Sequence, residues 1–162
     1  MKSLIYGFFR WLAVAATIAF LVLAGAGTDS GSAEPKKVMN AVCESADMTN
    51  LQPAQNQIIK RLYGINPSDY EFCMLYYPKT NMDVDELLLI KISDRSQEKV
   101  LREAVESRLD KQKKAFESYG VGQMELLGNH SFVESRSGLF LFVVNSKDDD
   151  VRYAFLNALE EE

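Results

Sequence analysis

Histidine is nearly absent: the chain of 162 residues has only His130. A histidine triad therefore has no base unless another residue replaces it. Cysteine is equally scarce, with Cys43 and Cys73 alone. Two thiols and one imidazole fall short of the four ligands of a closed zinc site. The pair reads either as one disulfide of an exported chain or as two small buried residues. Basic surplus is also missing. Net charge is -5, and Lys111, Lys113 and Lys114 are diluted by Asp110 and Glu117, which speaks against nucleic acid as a partner. No glycine-rich loop leads from a strand into a helix, so a nucleotide fold has no support. Gly-x-Ser-x-Gly, His-Glu-x-x-His and Cys-x-x-Cys do not occur, and there is no repeat. The expectation is a domain with no catalytic constellation, no cofactor and no metal.

What is present begins with a basic leader. Lys2 and Arg10 precede an apolar run from Trp11 to Ala26, about 24 Å long as a helix. That is slightly short for a membrane span and long for the core of a signal peptide. Ala24-Gly25-Ala26 has the small-x-small form of a cleavage site. Residues 1–26 are expected to be a signal peptide or a membrane anchor, with the positive leader kept in the cytoplasm. Residues 27–37 are small and polar and read as a flexible tether. One folded domain, 38–162, is expected outside the cytoplasmic membrane.

The longest helical pattern runs from Asp94 to Gly120. Asp94 is a good N-cap with Gln97 three positions on, and Gly120 suits a left-handed C-terminal stop. Leu101, Val105, Leu109, Phe116 and Tyr119 share one face at about 100° per residue. Arg108 and Gln112 interrupt that face. They read either as a polar site facing a groove or as a buried network that fixes packing.

Around this helix the pattern predicts a first helix over 53–63 and strands over 70–77, 84–92, 131–134 and 139–145. One or two helical turns follow Gly120, and a last helix is capped by Ser146 or Asp148. Residues 38–48 are left between short helix and strand. Leu87 to Ile90 are apolar at both parities, which marks a central strand. The fold class is α+β, a four-stranded, mostly antiparallel sheet packed against helices. Asp148-Asp149-Asp150 lacks the alternation and glycine of a calcium loop and suits a helix N-terminus.

Glu86 shares its face with Leu88 and Ile90. From Ile92 back to Glu86 is about 20 Å of strand. A helix returning over it from residue 95 covers that distance by residue 108. Arg108 is therefore expected to meet Glu86.

The segments D-E-L-L-L-I-K-I at 85–92, R-L-D-K-Q-K-K-A-F-E-S-Y-G at 108–120 and G-L-F-L-F-V-V at 138–144, with Gln123, resemble the domain of unknown function 4358. This is a family of bacterial exported or lipid-anchored proteins. The resemblance covers about residues 38–159. It implies that Glu86, Lys91, Arg108, Gln112, Tyr119 and Gln123 are the characteristic polar and aromatic positions, and it implies no reaction. In Leu23-Ala24-Gly25-Ala26 an alanine stands where lipid-anchored members carry cysteine.

Two functions are consistent with this reading. One is a non-catalytic domain binding an envelope protein or a small ligand. The other is a carboxylate-dependent hydrolase of the envelope, which requires two acids across a cleft. Glu86 is the one acid whose sequence setting points inward.

Overall fold

The computed structural model describes residues 34–160. The leader, most of the tether and the last two glutamates lie outside the described residues. Five α-helices and five strands follow in the order α1 (Pro35–Ser45), β1 (Leu51–Pro53), α2 (Asn56–Tyr63), β2 (Phe72–Pro78), β3 (Glu86–Lys91), α3 (Arg95–Phe116), α4 (Val121–Asn129), β4 (Ser131–Arg136), β5 (Leu139–Val144) and α5 (Asp148–Glu160), with one 3-10 turn at Pro67–Asp69 between α2 and β2.

The strands form one sheet in the order β1-β2-β3-β5-β4, and every neighbouring pair is antiparallel. The sheet thus has five strands, where the sequence pattern predicts four. The missed strand, β1, has three residues and ends in Pro53, so it carries no alternation to read. Pro53 belongs to this edge strand, opposite Tyr76, and not to the first turn of a helix. An edge position tolerates the missing N–H.

The helices cover both faces of the sheet. Leu87, Leu89, Leu141 and Val143 pack with Val38 and Val42 of α1 and Val151 and Phe155 of α5. Leu88, Ile90, Phe140 and Phe142 pack with Ile59 of α2, Leu101, Val105 and Phe116 of α3, and Leu127 of α4. This explains the apolar residues at both parities in β3 and β5, all of whose leucines, phenylalanines, isoleucine and valines are fully buried. Each such side chain stabilises the fold by about 1.5–3 kcal/mol relative to exposure.

Local signals account for most boundaries. Asp94 Oδ1 accepts from the backbone N–H groups of Ser96 and Gln97 at 2.7 and 3.1 Å. Gln97 Oε1 accepts from Ser93 N at 2.7 Å. Gly64 ends α2 with φ 73°. The β4–β5 turn has Ser137 and Gly138 at φ 52° and 74°, as a tight hairpin requires.

Three expectations change. α1 begins at Pro35, so residues 35–37 are helical and not tether. Gly120 is not left-handed: its φ is -95°, and it stands before α4 as the N-cap. It is needed for close approach, since a Cβ there would lie 2.6 Å from Phe116 Cδ1. Asp148 does not cap α5 with its side chain but bonds His130 Nδ1 at 2.8 Å. No described helix is long and apolar enough to cross a membrane.

Candidate functional site

Glu86 opens β3 and is fully buried. Strand alternation turns it to the α3 side of the sheet, with Leu88 and Ile90. α3 runs back over that face, and Arg108 Nε donates to both carboxylate oxygens, at 3.1 Å to Oε2 and 3.2 Å to Oε1. Helix rise and strand rise set this meeting, as the register argument requires. The Arg108 side chain is 16% exposed. Its two terminal nitrogens make no hydrogen bond to the described residues.

Burial pushes the Glu86 carboxyl above its ordinary range, and the Arg108 guanidinium opposes that rise. Tyr63, the last residue of α2, and Gln112, one turn beyond Arg108, also flank the carboxylate and lower its pKa. Neither flank satisfies its polar atoms fully. The Tyr63 hydroxyl and Gln112 Oε1 are buried without a hydrogen-bond partner among the described residues. Burial, and then the Glu86 charge, push the Tyr63 hydroxyl well up. A carboxylate, a guanidinium, an amide and a phenol are thus gathered under one helix.

The group borders a groove of about 210 Å³ between α3, the end of α2 and the β2–β3 connection. Arg61, Arg108, Lys111 and Gln112 line it, with Thr80 and Asp83 opposite. Asp83 accepts from Thr80 Oγ1 at 2.7 Å. Arg61 and Lys111 are exposed and form no ion pair with a described residue. The groove is therefore positive although the chain is acidic overall.

The remaining expected positions scatter. Lys91 is at the other end of β3 and pairs with Glu71 Oε1 at 3.0 Å. Tyr119 is 61% exposed, its ring 5.6 Å from that of Phe116. Gln123 Nε2 donates to the Met82 carbonyl at 2.8 Å. Glu86, Arg108 and Gln112 come together; Lys91, Tyr119 and Gln123 do not join them.

Three residues escape the sequence reading. Tyr63 looks like one more apolar position of α2, and only its hydroxyl hints otherwise. Asp85 is a second inward acid, 9% exposed, its pKa raised by burial. Its parity places it with Leu87 and Leu89, on the opposite side of the sheet from Glu86. Asn145 is fully buried. Its Oδ1 accepts from Asp47 N and Lys147 N at 2.9 and 3.1 Å, and its Nδ2 donates to Asp47 O at 2.9 Å. It joins the loop after α1 to the loop before α5. Among the described residues no group of three or more His, Cys, Asp or Glu side chains is placed to hold a metal ion.

An antiparallel sheet between two helical layers, with a buried ion pair beneath a polar groove, defines a three-layer α+β domain. The family described as a domain of unknown function (DUF4358) matches residues 44–145, more than half of the chain. The chain belongs to that family. No curated protein and no solved structure matches it.

Proposed function

We propose that this chain is a non-catalytic binding component of the cell envelope, with its domain outside the cytoplasmic membrane. The observation that carries the binding reading is the groove over Arg108 and Gln112, where a guanidinium fixed by Glu86 lies beside the exposed cations of Arg61 and Lys111. A hydrolase would need two carboxylates across that space. Asp83 is the one acid that lines it, while Glu86 is taken up by Arg108 and Asp85 faces the other helical layer. Support for the location comes from the basic leader and apolar run of residues 1–26.

Photo-crosslinking in living cells, combined with fractionation, tests the reading. A crosslinker at exposed Asn81, on the groove, should capture an envelope component that a crosslinker at Tyr153, 70% exposed on α5, does not. The protein should be found in the membrane or outside the cell. A soluble cytoplasmic product that starts at Met1, or equal capture from both positions, would refute the proposal.

A further inference from the structure

The sheet has two edges, and they are built differently. β1 at one end has three residues and closes on Pro53, whose missing N–H cannot extend a ladder. β4 at the other end has six residues, no proline and no bulge, since its register with β5 holds from Ser131 to Arg136. Edges of this kind are usually blunted, because their free backbone groups accept a further strand. The direction of those groups follows from the ladder. Ile92 N donates to Gly138 O between β3 and β5, and Asn145 N donates to His130 O between β5 and β4. Even-numbered residues of β5 therefore bond to β3 and odd-numbered ones to β4, so in β4 the even-numbered residues face β5. The N–H and C=O groups of Ser131, Val133 and Ser135 point out of the edge, without partners among the described residues. Beside them lies open space: Val133, with Val105 and Leu109 of α3, lines a groove of about 310 Å³.

The charges on this edge select the occupant. Glu134 and Arg136 share the parity of Phe132, which packs on the α1–α5 side of the sheet. Arg152 of α5 stands over the Phe132 ring, its guanidinium carbon 4.2 Å from the centroid. Glu134, Arg136 and Arg152 form no ion pair with a described residue. An edge of one sign would repel its own copy. This edge carries both signs, and they interleave when the strand meets itself antiparallel. With a twofold axis at Val133, Ser131 faces the partner's Ser135 and Phe132 faces the partner's Glu134. Side chains directly opposite stand about 4.5–5.5 Å apart. Each Glu134 thus comes beside the Arg152 that covers the opposite Phe132. Arg136 comes opposite the partner's His130, whose ring bonds Asp148, with Asp149 next to it.

We propose that β4 is an assembly edge, on which a second copy of this chain adds its own β4 antiparallel about a twofold axis at Val133. The outward groups of Ser131, Val133 and Ser135 then form about six backbone hydrogen bonds across the axis. Val133 meets its counterpart on the α3 side, next to Val105 and Leu109. The two charge pairs on the α5 side each occur twice, as an isologous contact requires. The two sheets run on as one.

Sedimentation equilibrium of the full chain in detergent, with amide hydrogen exchange of the ¹⁵N-labelled chain, tests this. The chain should show a monomer–dimer equilibrium, and exchange at the Val133 and Ser135 amides should slow as it is concentrated. Association through residues 1–26 would not respond to changes in β4, so three variants decide. Ser135→Pro removes an outward N–H that β5 does not use, so the fold survives it, and the dimer should weaken by at least about tenfold. Glu134→Arg and Arg152→Glu each set like charges against each other twice, and each should weaken the dimer by about tenfold. The two together restore opposite signs, and should return it to within about threefold of the parent. A chain still monomeric at about 1 mM would overturn the inference. So would a dimer indifferent to Ser135→Pro, or a double variant as weak as the single ones. Protection of these amides by an envelope extract but not by concentration would assign the edge to a foreign strand, and would overturn it too.

Discussion

Removing Arg108 strands a fully buried carboxylate, whereas removing Glu86 leaves an arginine that still reaches water. Arg108→Ala should therefore cost more than Glu86→Ala, about 3 kcal/mol against about 1 kcal/mol. The double variant should lose less than the two together. Strict additivity in urea unfolding would show that the pair is not coupled. The pair also sets a pH dependence. The Glu86 carboxyl is raised in the folded chain above its ordinary value near 4.5, by burial first, with Arg108 opposing. Below that ordinary value both states are protonated, and its contribution is fully present. As pH rises past it, the unfolded chain loses the proton first, so stability falls until the folded carboxyl ionises too. Asp85, raised by burial, acts in the same sense. Glu86→Gln should flatten this part of the profile measured between about pH 4 and 8. Arg108→Ala should steepen it, because a protonated acid needs no cation. An unchanged slope in both variants would contradict the assignment.

At the scale of elements, the turn from α3 into α4 depends on a missing side chain. Gly120 is buried, and a Cβ would come within 2.6 Å of Phe116 Cδ1 and 2.7 Å of its Cβ. Phe116 is 4% exposed and packed in the core, so it has little room to yield. Gly120→Ala should cost about 1–3 kcal/mol. Gly122, two residues on and inside α4, meets nothing within 4 Å. Gly122→Ala should be neutral, or stabilising by up to about 1 kcal/mol. Thermal melts of the two variants compare them directly. Similar losses from both would mean that helix propensity, and not the contact with Phe116, decides this turn. The contact also bears on the groove, because Phe116 is part of its wall.

In the whole molecule the sheet separates the two thiols. Cys43 on α1 packs with the α1–α5 layer, and Cys73 on β2 packs with the α2–α3–α4 layer. They are free, and a disulfide across the sheet is excluded by this placement. Burial raises both thiols, Cys73 to about 12, so little thiolate exists near neutral pH. Alkylation of the native chain should be slow. Denaturation without reductant should release both cysteines to full labelling, read by mass spectrometry. Labelling that requires prior reduction would mean a disulfide and a different packing of α1.

The residue pattern is enough to specify the elements whose signals are local. The capped helix from Asp94, the hairpin at Ser137-Gly138 and the apolar strands at 86–91 and 139–144 need only caps, turn residues and periodicity. It also determined the meeting of Glu86 and Arg108, since fixed rises per residue measure one element against the next. Tertiary structure alone decided the rest. A three-residue edge strand ending in Pro53 has no period, and exists because β2 offers it an edge. Tyr63 becomes part of the polar group only when α2 docks beside Glu86. Asn145 becomes a joint only when the loop at Asp47 arrives from far away in the chain. The groove belongs to neither α2, α3 nor the β2–β3 connection, and arises where the three meet over the sheet.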